Sequence, residues 1–273
     1  MKIKSPTTLS SLLVTHIPHS SLEVPPNIRD QFVLNDDELD LEIKKITDHQ
    51  TKEIFTAAFV TASSVVSPVS RLVVDMERFA DDDFEEMAKI GMGAIYRNGT
   101  AKQQLRRDLD SQEVEDLLDQ YYWPHHRHFE QVVSECLAHF DSCLIIDCHS
   151  YPKDPLPYEL HQTSPRPQIC LGTDSFHTPE ALITATKDHL IAMGYSVELD
   201  TPFAGTIVPS SFYKKNPKVI SIMIELRRDL YMDDHFNVVP ASRDKLVKNL
   251  ATLGPCIFDK LFPYHPEFAQ DKY

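Results

Sequence analysis

The chain has 273 residues, a net charge of −14 and a pI near 5.3. That acidic balance excludes a nucleic-acid binder, which needs clustered Lys and Arg against phosphate, and favours a soluble, self-repelling protein of the cytoplasm. With 42% apolar and 25% charged residues the chain reads as an ordinary globular protein rather than a disordered one, and no run approaches the roughly 18 apolar residues of a membrane span.

Residues 1 to 15 hold Lys2 and Lys4 but only a short, broken apolar stretch, so no signal peptide is expected. Leu12-Leu13-Val14-Thr15-His16-Ile17-Pro18-His19-Ser20 predicts a strand that ends in polar residues, followed by a loop at Pro25-Pro26. Asn35 or Asp36 can cap one helix running through Leu39, Ile43, Ile46, Ile54 and Phe55, which would carry Asp48. Phe59-Val60 and Ser64 to Val66 read as short strand material, and Leu72 to Asp75 as a strand between Arg71 and Arg78. Asp81 to Glu86 is an acidic loop or helix start.

From Asp110 or Ser111 a helical pattern runs through Leu117, Tyr121 and Tyr122, is interrupted at Pro124 and continues through Phe129 and Val133. Cys143 to Ser150 is an apolar strand that stops at Asp147-Cys148-His149-Ser150, and five prolines between 152 and 167 make the next segment a wall or lid over that end. Strands at 169–173, 196–199 and 219–224 enclose a helix at 179–193, and a last helix spans 244–258. The alternation predicts one domain over 1–273, a three-layer α/β/α sandwich around a mixed, largely parallel sheet, with some antiparallel pairing among the short strands after residue 60.

Three apolar strands thus end in His19, His149 and Glu225, where an open α/β sheet binds its ligands. His19, Asp48 and His149 form a candidate catalytic zinc set, three protein ligands with a position left for water. Glu225 closes an apolar strand, so it needs either a polar cleft, where it can act as general base, or a salt bridge to Arg227 or Arg228. Alternation sets Cys148 aside as a core thiol, and His16 and Asp147 are read as pointing away from the ligands, although Asp147 at a frayed strand end can still orient one. Arg71 and Arg78 suit a carboxylate-bearing substrate, and His126 in Tyr122-x-Pro124-His125-His126 can add a polarising group. Five cysteines without a C-x-x-C pair read as reduced thiols, and no glycine-rich phosphate loop is present.

Together Pro18-His19-Ser20, Asp48-His49-Gln50-Thr51, Ser70-Arg71 through Asp75-x-x-Arg78, Tyr122-x-Pro124-x-His126, Ile146-Asp147-Cys148-His149-Ser150, Cys170 to Thr173, Pro202-Phe203-x-Gly205 and Ile224-Glu225-x-x-Arg228 resemble the N-formylglutamate amidohydrolase family, zinc hydrolases related in fold to the carboxypeptidases. The resemblance implies that His19, Asp48 and His149 bind Zn2+, that Glu225 activates water, and that Arg71 and Arg78 hold the carboxylate of a small acyl amino acid. Glu23 rivals Asp48 as ligand, because related enzymes place an acid soon after the first His. The expected reaction is hydrolysis of the acyl, chiefly formyl, amide of an N-acyl amino acid such as N-formylglutamate. The alternatives are a carboxypeptidase-like hydrolase of larger acyl-amide or peptide substrates and a non-catalytic metal-binding homologue. The chain departs from the family pattern with Glu77 for Asn, Ser21 for Gly and Met223 for Gln, and a carboxylate at 77 would repel an acidic substrate.

Overall fold

The computed structural model describes residues 11–262; the first ten residues of the stretch read above against a signal peptide lie outside the described part. Six strands form one mixed sheet in the order β2-β1-β3-β6-β4-β5. They are β1 (Leu13–Ile17), β2 (Ser63–Val66), β3 (Cys143–Tyr151), β4 (Ile169–Gly172), β5 (Val197–Leu199) and β6 (Val219–Arg227). Neighbours run parallel except β4 against β6, where the antiparallel pairing falls. The central strands are buried almost throughout, which is why they read as unbroken apolar runs rather than alternating ones.

Among the described residues seven α-helices complete the layers: α1 (Asp36–Ile46), α2 (Thr51–Ala58), α3 (Ser111–Leu117), α4 (Trp123–Phe140), α5 (Glu180–Ala192), α6 (Pro240–Ala251) and α7 (Leu253–Leu261). Helix α4 covers the face that carries His16, whose ring stacks on Phe129, and α2 packs over β1 and β3 from the other side. Asn35 and Asp110 are the caps of α1 and α3, each in a reciprocal capping box with the Glu three residues on. A π-helical turn at Leu118–Tyr122 joins α3 to α4 and sets Pro124 in the first turn of α4, where a missing N–H costs nothing.

Four sequence expectations change. The helix expected from Asn35 to Phe55 is two helices, because Thr47 to Gln50 leave the helical path and Gln50 takes the left-handed conformation at φ 61°. Asp48 therefore stands in the turn between α1 and α2. Leu72 to Asp75 is buried but is no strand: the carbonyls of Leu72 and Val73 accept from Arg106 Nη2 at 2.6 and 3.2 Å instead of from a neighbouring strand. Phe59 and Val60 close α2 rather than starting a strand, and the expected last helix is split into α6 and α7 at Thr252.

Two apolar clusters result. One fills the sheet and its helices; the other is built from Ile28 to Tyr122 around α1 and holds Leu72, Val73 and Val74. The second cluster supports the segment from Ser70 to Arg78 against the sheet edge, and that segment carries half of the site.

Candidate metal centre and active site

Strands β1, β3 and β6 are mutually parallel neighbours, so their carboxyl ends emerge at one edge of the sheet. The register places His149 beside Glu225, Asp147 beside Met223, and His16 beside Asp147. His19 lies just past the end of β1, and its carbonyl accepts from the backbone N–H of Asp48 at 3.0 Å, which ties the α1–α2 turn to this edge.

His19, Asp48 and His149 come together as expected, all buried, with ligand atoms within 4.8 Å of one another. Asp48 Oδ2 lies 3.0 Å from His149 Nδ1 and 3.6 Å from His19 Nδ1. His19 Nε2 is bound at 2.8 Å to the carboxylate of Asp75, an acceptor only, so Nε2 carries the proton and Nδ1 presents its lone pair to the cluster. That Nδ1 is buried without a hydrogen-bond partner. His149 Nε2 faces Asp147 and Glu77, each at 3.1 Å. Both imidazoles are thus oriented by carboxylates on the far nitrogen, the arrangement that fixes histidine ligands on a metal. Two Nδ1 atoms, one of them orphaned and buried, and one carboxylate oxygen fit a zinc ion.

Glu23, the rival ligand, is exposed and binds Ser21 and Ser70 through its backbone, away from the cluster. Asp147 and His16 do not point away. Residues two apart on a strand share a face, so Asp147 stands on the same face as His149 and joins it to His16, which lies 3.0 Å from Asp147 on one side and 3.0 Å from His125 on the other. His16, Glu77 and Asp147 form a second group of potential ligands among the described residues. Cys148 is buried on the opposite face, where burial pushes its thiol well up, and all five cysteines are free.

The charges of the cluster act against burial. Burial opposes ionisation of Asp48, yet the hydrogen bond from His149 and the nearby His19 hold its carboxyl below the usual range. Burial likewise opposes charge on His149, and Glu77 and Asp147 overcome it and raise the imidazole well above its usual value. Glu225 behaves oppositely: burial dominates and pushes its carboxyl up to about 8, His149 working against the shift. Glu225 Oε2 has no hydrogen-bond partner. The salt bridge to Arg227 or Arg228 is not formed: Arg227 binds Asp229, while Arg228 binds the Lys45 carbonyl at 2.7 Å and stands 3.5 Å from Asp48 Oδ1.

The site opens into a cavity of about 470 Å³. Its floor is His19, Asp48, His149 and Glu225, and its rim includes Arg71, Arg78 and Glu77. The proline-rich segment forms a wall through Pro152, Leu156 and Tyr158, as the sequence suggests. The two arginines differ. Arg71 grips Asp75 Oδ2 with Nε and Nη2 at 3.1 and 2.7 Å, whereas Arg78 Nε is buried without a partner. His126 is not in this cavity; it stacks on Tyr122 and lines a groove beyond Glu77 and Arg78.

Sequence reasoning missed Asp75 as the residue that orients His19, and Arg228 as the brace of Asp48. For Asp75 no local signal exists, since its partner is 56 residues away. For Asp147 the signal was the two-residue spacing to His149.

The solved structures similar to this chain include N-formylglutamate amidohydrolase from Ralstonia eutropha JMP134, with 22% identity, a TM-score of 0.76 and coverage of 88% of this chain and 90% of that one. Gene product Atu2144 from Agrobacterium tumefaciens is similar at 17% identity and a TM-score of 0.68, with 90% of each chain covered. No curated protein matches the chain. The sequence profile of N-formylglutamate amidohydrolase matches residues 11–232, most of the length, and the chain belongs to that family.

Proposed function

We propose that the protein is a zinc-dependent amidohydrolase that cleaves the acyl amide, foremost the formyl amide, of an N-acyl amino acid. The observation that carries this reading is the orphaned Nδ1 of His19, turned by Asp75 toward Asp48 and His149 beside an unpaired, buried Glu225.

His19 Nδ1, Asp48 and His149 Nδ1 would hold the zinc, which supplies a Lewis acid for the acyl oxygen and acidifies water toward neutrality. Glu225 takes a proton from the attacking water and returns it to the departing nitrogen. Water oxygen bonds to the acyl carbon, the C–N bond breaks, and the products are the acid and the free amino acid. Burial lifts Glu225 toward neutral pH, where a carboxyl can both accept and return a proton. Arg78, with its unpartnered Nε, anchors the α-carboxylate, while Arg71 is held by Asp75 and acts chiefly through that contact. Asp147 and Glu77 keep His149 from turning. The substrate is a small molecule, and among the described residues no helix is long and apolar enough to cross a membrane.

The test is Glu225→Gln in protein loaded with zinc, assayed by formate release from a panel of N-formyl amino acids. A loss of kcat on the order of 100-fold or more at unchanged zinc content is expected for removal of a general base. A variant that retains the parent's rate would overturn the assignment, and so would free carboxyl-terminal amino acids from peptides in place of formate.

A further inference from the structure

Beyond the rim residues Glu77 and Arg78 lies a second, open groove of about 820 Å³, larger than the catalytic cavity. The two share Glu77, Arg78, Ala204 and Met223, so they adjoin at the site. The groove wall is mainly apolar, with Phe84, Leu118, Trp123, Ile207, Val208 and Tyr213, and Asp81 and Glu130 also line it. Several of these are large rings left in water, with Phe84 75%, Trp123 41% and Tyr213 40% exposed. Aromatic side chains gathered on one groove next to a reaction centre are an apolar binding surface rather than scattered exposure.

A formyl group is a single carbon and leaves this groove empty. A glutamate side chain reaching into this groove would meet Glu77, whose own carboxylate already faces His149 Nε2 at 3.1 Å and His19 Nδ1 at 3.8 Å. Two carboxylates at that rim repel each other, whereas an apolar group carries no charge to be repelled. Resting on the amidohydrolase reading above, we propose that the substrate is an N-acyl amino acid bearing a bulky apolar group, and that this group lies in the Trp123 groove. The shared chemistry is an apolar substituent, carried either by the acyl chain or by the amino-acid side chain.

Trp123 is the chain's single tryptophan, so its emission reports the groove without any turnover. Zinc-loaded full-length protein is titrated with two series: N-acylalanines from formyl to decanoyl, and N-formyl derivatives of alanine, leucine and phenylalanine, with N-formylglutamate as reference. A saturable blue shift of Trp123 emission is expected, with affinity rising about three- to fourfold per buried methylene. The value of kcat/KM should rise in parallel. A gain confined to the first series assigns the groove to the acyl chain, and one confined to the second assigns it to the side chain. Phe84→Asp, at an exposed position that folding tolerates, should abolish the size dependence and leave N-formylalanine hydrolysis unchanged.

The proposal is overturned if N-formylglutamate is the best substrate and neither series moves Trp123 emission. It is also overturned if the emission shifts with protein concentration instead of ligand, which would give the groove to a second copy of the chain. Size-dependent binding without turnover of any compound would leave the groove assignment standing and remove the amidohydrolase reading.

Discussion

At His19 one ring nitrogen is committed and the other left free before any ligand arrives. Asp75 accepts from Nε2, and the same carboxylate accepts from Arg71, from the Tyr96 hydroxyl at 2.5 Å and from the Glu77 backbone. Burial alone would keep Asp75 protonated, but Arg71 and His19 hold it ionised, well below the usual carboxylate range. A full negative charge behind Nε2 is what leaves Nδ1 basic and correctly aimed. Asp75→Asn keeps the shape and one acceptor but loses the charge and strands part of Arg71. Zinc affinity should fall about 10- to 100-fold, the usual effect of removing a carboxylate behind a histidine ligand. Chelator competition measures it, and an unchanged affinity would show that Asp75 only supports the fold. Direct ligation is tested separately: His149→Ala should leave the purified protein without stoichiometric zinc, and a variant that keeps its metal would remove His149 from the ligand set.

Among the elements, the parallel trio β1, β3 and β6 decides where the chemistry stands, and the turn after α1 decides what reaches it. The strand trio was legible, because strands buried on both faces read as apolar runs and their polar ends stand out. The turn at Thr47 to Gln50 was not, since Leu39, Ile43, Ile46, Ile54 and Phe55 keep helical spacing across a break made by one left-handed residue, Gln50. Leu72 to Val74 misled for a related reason: a short apolar run records burial, and here the burial is in a loop-built cluster whose carbonyls are satisfied by Arg106. The glycine of β4 makes a further test at this scale. A Cβ on Gly172 would lie 2.1 Å from the Gly205 carbonyl oxygen and 2.4 Å from Met223 Cε. The flexible methionine can yield, but the backbone carbonyl cannot without moving the 202–207 segment that lines both cavities. Gly172→Ala should therefore cost about 1–3 kcal/mol in urea unfolding, as overpacking does, and lower kcat/KM as well. Wild-type stability would show that the segment is free to shift.

For the molecule as a whole, net charge and buried histidines pull on stability in the same pH window. The pI near 5.3 puts neutrality, and the weakest mutual repulsion between molecules, just where the α4 histidines begin to matter. Burial lowers His126 to about 4, with His16 adding to the shift and the Met76 backbone opposing it, and burial with the neighbouring histidines lowers His125 as well. Between pH 4 and the ordinary histidine value of 6.5 the unfolded chain therefore binds a proton at His126 that the folded chain does not, and the lowered His125 acts in the same direction. Their contribution is complete above pH 6.5 and is lost as the pH falls toward 4, each group changing stability by at most about 1.4 kcal/mol per pH unit. For His126 the whole window amounts to about 3 kcal/mol. Loss of bound zinc in acid would act in the same direction, so the comparison must be between proteins that differ only away from the metal. Chelator-treated wild type and His126→Gln, unfolded in urea at low protein concentration from pH 7 to pH 4.5, isolate the term. The variant should lose stability less steeply than wild type as the pH falls, and parallel curves would mean that His126 takes up its proton without disturbing the groove it lines.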